Sequence, residues 1–179
     1  MAVVLSATAA GVDRADGLAH RIPMVPPIGD TYVFDQDLQT QERWLSKLRD
    51  ADDETRAMHR QRLEFVRAHG YLVSFLPPEG PTAYTSMRDA TRRYESARMT
   101  PSQERSICAS IGASPVDYHL REVFDDDVYD VGSIVLPIRD PRGGYAMTLR
   151  LAQLPTSVTG RQVHAWIDEA RAVVQVLES

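Results

Sequence analysis

The hydrophobic pattern is clearest in the last third of the chain, where it predicts two strands and a helix. Residues 131–138 read Val-Gly-Ser-Ile-Val-Leu-Pro-Ile, and residues 145–151 form a second run of similar length. The segment 140–144 between them holds a proline, which fixes φ, and two glycines, which reach the positive φ of tight turns. The pattern therefore predicts a β-hairpin over 131–151.

A helical pattern follows this hairpin. Thr159 and Gln162 have the spacing of a capping box, in which the threonine hydroxyl accepts a hydrogen bond from the glutamine amide. Apolar residues then recur at helical spacing: Val163, Trp166, Ile167, Ala170, Val173, Val174 and Leu177. We expect this amphipathic helix to pack on the hairpin, which offers an apolar surface.

Residues 23–29 hold three prolines and are predicted to be rigid and extended. Gly29 and Asp30 are predicted to open a helix, with Asp30 as its N-cap and Tyr32 in its first turn. The free amides at such a helix start would form an anion site. The alternative is a structural proline corner that leads into a core helix and contacts no ligand.

The remaining elements are predicted from spacing and from cap residues. The helix over 36–48 is expected to turn Leu38, Trp44, Leu45 and Leu48 to one side. Gly70 follows a helical pattern, as a typical C′ residue does, and Thr100 precedes a proline, as a typical N-cap residue does. The other predicted elements are strands over 2–10, 18–22 and 71–76, a helix over 53–69 that ends at Gly70, a helix over 82–98, a helix capped by Thr100, and a solvated turn at Asp125–Asp127.

Strands, a helix pair, a strand, further helices, a hairpin and a closing helix follow one another in this order. The order predicts an α+β fold with an antiparallel sheet. The 179 residues, of which 43% are hydrophobic and 25% charged, fit one soluble globular domain over 1–179.

Charge and cysteine content narrow the function classes. The net charge of -5 gives no basic face for nucleic acid, although all basic residues except Lys47 are arginine. Cys108 is the single cysteine, which excludes an intrachain disulfide and fits a reducing cytoplasm. No apolar run approaches the roughly 20 residues that a membrane span needs, and the N-terminus lacks the basic region of a signal peptide.

No catalytic motif is found in the sequence. Five histidines occur, and no pair has metal-ligand spacing: His20, His59, His69, His119 and His164. A nucleophile elbow and a phosphate-binding loop are both missing. We therefore expect no enzyme activity, no metal and no cofactor.

Several segments together resemble a known family. Residues 131–144 resemble the signature strand and glycine turn of the effector-binding domain of IclR-type transcriptional regulators, and the return strand and closing helix match in order and length. Residues 21–29, with the form Pro-x-x-Pro-Pro-x-Gly, are similar to the segment that enters the first helix of that domain. Trp44-Leu45 and residues 66–71 fit the next landmarks.

The resemblance covers about 20–75 and 117–178, and two departures accompany it. The chain begins where the effector domain begins, so we expect the winged helix-turn-helix of the family to be absent or trimmed. Phe34-Asp35 stands where the family keeps a small or aromatic apolar pair, which changes the expected pocket lining.

The resemblance implies a GAF-like fold, with a curved, mainly antiparallel sheet packed with helices. It also implies a small-molecule effector, often an organic acid, and self-association as a homodimer or a higher homo-oligomer. DNA would be reached only through a missing or separate winged helix-turn-helix. The implied protein is cytoplasmic, is not an enzyme and contacts no membrane.

Strand alternation adds a pocket hypothesis. Ser133 and Val135 share one strand face, and Thr148 and Arg150 share one face of the return strand. Arg150 would pair with a ligand carboxylate through its two-pronged donor set. The predicted ligand site therefore combines two groups: Gly29, Asp30 and Tyr32 with Ser133, Val135, Thr148 and Arg150. The alternative is that this face meets water.

Two function hypotheses follow from these predictions. The first is a small-molecule-sensing and self-association domain of an IclR-type regulator, without its own DNA-binding segment. The alternative is a stand-alone interaction or dimerisation module that kept the fold and lost the ligand. An enzyme of unknown type is a third reading, which a cleft with a strongly perturbed titratable group would favour.

Overall fold

The computed structural model describes residues 23–49, 51–77, 100–112, 120–140, 142 and 144–179. These residues form helices and antiparallel sheets, so the α+β class predicted from the sequence is confirmed. The elements are α1 (Asp30–Val33), α2 (Leu38–Leu45), α3 (Asp53–His69), β1 (Leu72–Phe75), α4 (Pro101–Gly112), β2 (Val128–Tyr129), β3 (Val131–Arg139), β4 (Tyr145–Ala152), β5 (Val158–Thr159) and α5 (Gly160–Glu178). Within the described ranges, no helix is both long enough and apolar enough to cross a membrane.

The main sheet has the strand order β1-β3-β4, and both pairings are antiparallel. Val135, in the central strand, pairs with Leu72 on one side and with Arg150 on the other. The β3–β4 pairing confirms the predicted hairpin. A second, two-stranded sheet joins β2 to β5 and was not predicted, because two-residue strands carry no hydrophobic period.

One face of the main sheet is covered by α5. The buried residues of this layer form one cluster: Val73, Phe75, Val131, Ile134, Leu136, Ile138, Val163, Ile167, Ala170 and Val174. The helix contributes buried residues spaced by three and four positions, as predicted. Val173 and Leu177, which the same pattern placed on the packed stripe, are instead 48% and 53% exposed. Thr159 caps the helix, since its hydroxyl accepts a hydrogen bond from the Gln162 amide at 3.3 Å.

The opposite face of the sheet is covered by α1, α2 and α3. Their shared core holds Val33, Phe34, Trp44, Leu45, Leu63, Val66 and Leu72. Val135 of β3 packs against the same cluster, which ties these helices to the centre of the sheet. A smaller cluster joins α4 to the proline-rich entry through Val25, Leu48, Ile107 and Ile111.

Helix α3 and the strand after it have the predicted positions. The helix spans Asp53–His69, and Gly70 ends it in the left-handed conformation with φ 75°. The predicted start of α4 is also confirmed, since the Gln103 amide donates to the Thr100 hydroxyl at 3.3 Å. The strands predicted over 2–10 and 18–22 and the helix over 82–98 lie outside the described residues.

The prediction that Leu38 faces the core with Trp44 and Leu45 is wrong. Leu38 is 78% exposed, whereas Trp44 and Leu45 are buried. The helix begins only at Leu38, because the Asp37 side chain accepts from the Thr40 amide at 2.7 Å and fixes the N-cap there.

The prediction that Asp30 is the N-cap of the first helix is also wrong. Gly29 holds that position with φ 95°, and Asp30 is the first helical residue. Residues with a Cβ rarely adopt this φ, so the turn favours glycine for its backbone angle. The carboxylate of Asp30 points inward instead of capping the helix, as described below.

Candidate functional site

The seven residues of the predicted ligand site lie in two neighbouring layers. Gly29, Asp30 and Tyr32 belong to the start of α1, which packs on β3 and β4. The other four share one sheet face, because Val135 pairs with Arg150, and Ser133 and Thr148 lie two residues from this pair along their strands. The structure therefore brings the helix start and this sheet face together.

Two pairs of hydroxyl groups on or against this sheet face are bonded to one another. The Thr31 hydroxyl lies 2.8 Å from the Thr148 hydroxyl and joins α1 to β4. On the same sheet face, the Ser133 hydroxyl lies 2.9 Å from that of Ser74, and both serines are buried. These bonds satisfy the hydroxyls that the hypothesis assigned to a ligand.

Asp30 is bonded to Arg62 of α3. The two side chains are 8% and 2% exposed, and the carboxylate oxygen lies 2.8 Å from the guanidinium nitrogen. The other carboxylate oxygen accepts from the Thr31 amide at 2.8 Å. The negative charge of Asp30, at the start of α1, is therefore paired with the buried guanidinium of Arg62.

The amides at the start of α1 were expected to be free for an anion, and this expectation is wrong. The amides of Tyr32 and Val33 donate to the Gly29 carbonyl at 3.0 and 2.8 Å. The Thr31 amide is occupied by Asp30, and the Asp30 amide points to the Pro27 carbonyl at 3.4 Å. The helix also has only four residues, so its dipole is small.

The other predicted residues differ in their access to solvent. Tyr32 is 42% exposed and Arg150 is exposed, whereas Val135 is half-buried. Among the predicted site residues, solvent therefore reaches mainly Tyr32 and Arg150, whereas Asp30 and Ser133 are buried. Their role in ligand binding stays a prediction.

A cleft of about 490 Å³ lies on the other side of the sheet. Its floor is Tyr71, which directly precedes β1, with Val73 and Phe75 of β1, and all three face the α5 layer. The walls come from the end of α3, from the segment before β2 and from α5: Phe65, His69, Leu120, Arg121, Glu122, Val123 and His164. Pockets of 300–1,000 Å³ are typical for small ligands.

Aromatic and cationic groups stack on one another around this cleft. The Phe65 and Tyr71 rings meet edge to face with centroids 5.4 Å apart, and the Phe65 ring lies 4.2 Å from the His69 ring. The Arg121 guanidinium carbon lies 4.5 Å from the centroid of Phe75. Such contacts hold aromatic walls in fixed orientations.

His164 reaches the cleft from the second turn of α5 and is held there by the acidic turn. Its Nδ1 atom lies 2.9 Å from a carboxylate oxygen of Asp125. The turn itself is fixed to the helix start, because the Gly160 amide donates to the Asp127 carbonyl at 2.9 Å. A Cβ at Gly160 would overlap the carbonyl oxygen of Phe124, so the close approach of turn and helix requires glycine.

The sequence analysis did not find this cleft. The signal was the alternation of Tyr71, Val73 and Phe75, which puts a large side chain at every second position of one strand face. The segment Leu120–Val123 and the turn at Asp125 join the site only through the tertiary fold. Among the described residues, no group of three or more His, Cys, Asp or Glu side chains could hold a metal ion.

Comparison with protein-family models, with curated proteins and with solved structures finds no match to this chain. The cleft and the sheet face described above are therefore interpreted from the residues of this chain.

Proposed function

We propose that the chain is a small-molecule-sensing domain that binds its ligand without transforming it. The observation that carries the proposal is the 490 Å³ cleft beside β1. Three aromatic side chains, Phe65, Tyr71 and Phe75, line it together with aliphatic residues. A few polar groups in an apolar shell are typical of a ligand pocket.

The wider assignment follows from the resemblance described above. The domain would be GAF-like and would belong to an IclR-type regulator, in which ligand binding is passed on to a separate winged helix-turn-helix. Support comes from the proline-rich entry, the antiparallel hairpin and the closing helix, which follow one another along the chain in the expected order. We also propose a cytoplasmic location and no catalytic step.

Self-association is the second part of the proposal. Val173, Val176 and Leu177 lie at the end of α5 and are 48%, 74% and 53% exposed. An apolar strip at the end of a long helix fits contact with a second copy of the chain. Two copies would then join through α5, away from the α1 side of the sheet.

An interaction module without a ligand is the second candidate function. The observation that favours it is the bonding on the predicted ligand face, where Thr31 bonds Thr148 and Ser74 bonds Ser133. These groups are already satisfied and need no ligand. Under this alternative, the cleft would have no small-molecule role.

A thermal-shift screen of the whole chain against aromatic and aliphatic metabolites tests the proposal. A ligand that binds only the native state raises the apparent stability by roughly 2.7 kcal/mol at 100 times Kd. Two variants locate the site, Tyr71→Ala in the cleft and Arg150→Ala on the predicted sheet face. Loss of the shift in Tyr71→Ala alone supports the cleft, and loss in Arg150→Ala alone supports the sheet face. No shift with any compound would favour the interaction module.

A further inference from the structure

We propose that the outer edge of β4 pairs with β4 of a second copy of the chain, so that two sheets join into one across a two-fold axis at Leu149. This inference rests on the self-association part of the proposed function, because it names the strand and the register through which two copies meet. It does not depend on the ligand cleft, which lies beside β1 at the other end of the described sheet.

β4 is the last strand on one side of the described sheet, whose order is β1-β3-β4. Its eight residues, Tyr145–Ala152, pair with β3, and no other strand of the described ranges pairs with them. The outer edge of such a strand presents a row of backbone donors and acceptors to which a further strand can bond. This edge is therefore suited to the addition of a strand from a partner.

The side chains of β4 form a self-complementary pattern about Leu149. Residues 147–151 read Met-Thr-Leu-Arg-Leu, with apolar side chains at the centre and at both ends. In an antiparallel pair centred on Leu149, this residue meets its own copy, and Met147 meets Leu151. A two-fold interface needs a surface of this kind, because the same patch serves both partners. The pattern therefore favours a second copy of the chain over an unrelated strand.

The charge of Arg150 supports the same register. Arg150 is exposed and lies on the opposite sheet face from Leu149. A pair centred on Arg150 would set two guanidinium groups directly opposite each other, and directly opposed like charges destabilise a sheet. A pair centred on Leu149 instead places each Arg150 opposite Thr148 of the other copy, so the like charges are separated along the strands.

Helix α5 adds apolar side chains that face the same junction. The Arg171 guanidinium lies over the Tyr71 ring next to β1, so this side of the helix faces away from β4. Trp166, Val173 and Leu177 are seven and four positions apart and lie on the other side of the helix, toward β4. Val173 and Leu177 are about half exposed, and Trp166 is half-buried.

The two helices would enclose the apolar side chains of the joined strands. Met147, Leu149 and Leu151 face α5, because they pair with the β3 residues of the core that α5 covers. Met147 is 46% exposed and the two leucines are half-buried, so one copy alone leaves them partly open to solvent. With α5 over β3 in each copy, three strand spacings put the helices ~14 Å apart. Directly packed helices lie roughly 8–10 Å apart, so the extra width admits the strand side chains between them.

Hydrogen exchange of the unmodified chain tests the strand pairing. The outward amides of an edge strand exchange readily in a monomer, whereas pairing bonds them to the second copy. We compare a concentration at which light scattering gives the dimer mass with one at which it gives the monomer mass. The outward amides within 145–152 should exchange about tenfold more slowly in the dimer. The outward amides of β1, at the other edge of the described sheet, are the control and should exchange alike in both.

Cysteine variants test the register in a Cys108→Ser background, which removes the single native thiol. Leu149→Cys should give a disulfide-linked dimer with diamide, because directly opposed Cα atoms lie about 5 Å apart, within disulfide reach. Leu151→Cys is the matched control on the same strand face. Its Cα would lie about 14 Å from that of its copy, so it should run as a monomer on a non-reducing gel. Met147→Cys added to Leu151→Cys should restore the link.

The outcomes separate this inference from the proposed function. A dimer in which β4 exchange does not depend on concentration, or in which Leu149→Cys links no more than Leu151→Cys, would overturn the edge pairing and leave contact through α5. Slow exchange of β4 in a monomer would overturn it as well and would assign the edge to another segment of this chain. A chain that is monomeric at every concentration would overturn self-association altogether, whereas ligand binding in the cleft is measured separately by the thermal-shift screen.

Discussion

The pair formed by Asp30 and Arg62 is the most deeply buried charge contact described in this protein. The guanidinium and the carboxylate are 2.8 Å apart, with 2% and 8% of the side chains exposed. Burial of either charge alone would be costly, and the pair offsets this cost through close contact. The bond also joins α1 to α3, so it fixes the short helix that covers the sheet.

Removal of one partner is therefore expected to destabilise the fold more than removal of both. Arg62→Met should lower the free energy of unfolding by about 3–5 kcal/mol, because the Asp30 carboxylate is left buried without its cation. The double variant Arg62→Met with Asp30→Leu should recover much of this loss. Urea unfolding followed by circular dichroism measures both values.

Exposed ion pairs provide the control for this experiment. Arg60 and Glu42 form such a pair at 3.2 Å, with side chains 49% and 60% exposed. Arg60→Met should change the free energy of unfolding by less than about 1 kcal/mol, since solvent screens the pair. Equal effects of Arg60→Met and Arg62→Met would contradict the assigned role of burial.

At the scale of residues, the sequence predicted which sheet face a side chain lies on better than it predicted the hydrogen-bond partner of that side chain. Alternation placed Ser133, Thr148 and Arg150 on one sheet face, as the register confirms. It could not reveal that Thr31 would bond Thr148, because the two residues are 117 positions apart. Local patterns describe the backbone, whereas such side-chain bonds depend on how distant elements pack.

At the scale of elements, α2, α3 and α5 each begin at a side chain that accepts a hydrogen bond from the backbone. Asp37, Asp52 and Thr159 cap α2, α3 and α5, and each accepts from the amide three residues later. Hydrogen bonds from the side chain and the amide of Thr55 hold the pKa of Asp52 below its ordinary value of 3.8. The charged form of Asp52 is therefore the one that stabilises the folded chain.

The Asp52 cap is expected to contribute stability that depends on pH. The folded pKa lies below the unfolded value, so the unfolded chain binds more protons and the contribution is complete above about 3.8. It is lost as the pH falls through the folded pKa. Asp52→Ala should therefore lower the urea midpoint at neutral pH and have a shrinking effect as the pH falls below 3.8.

Thr159→Ala is the matched control for this pH series. Its hydroxyl accepts from the Gln162 amide and does not titrate in this range, so its effect on the midpoint should stay constant with pH. Urea midpoints at several pH values, measured for both variants and for the wild type, give the comparison. A constant effect of Asp52→Ala across the series would contradict the role of the charged carboxylate.

Element prediction succeeded where the signals were local. The predicted range of α3, 53–69, is confirmed, and the glycine that ends the helix, Gly70, lies directly next to it. The four-residue helix α1 and the β2–β5 pair were placed poorly or missed. Both are too short to show a period, and packing against other elements holds them in place.

At the scale of the whole molecule, the described sheet lies between two helical layers. The face with Val135 is covered by α1 to α3, and the face with Ile134 is covered by α5. The cleft lies beside β1, between the end of α3, the segment Leu120–Val123 and α5. Ligand and partner would thus both approach the side of the sheet that carries α5.

The exposed end of α5 leads to the last prediction, which concerns self-association. Val173→Glu together with Leu177→Glu should shift the chain toward its monomer mass of 20.0 kDa in light scattering over a hundredfold range of concentration. Both residues are about half exposed, so the charges disrupt a contact between copies more than the core. The urea midpoint should stay close to that of the wild type.

Leu38→Glu is the control, because Leu38 is exposed on α2 and the substitution should leave the mass unchanged. A wild-type chain that is monomeric throughout, or an equal effect of Leu38→Glu, would contradict assembly through α5.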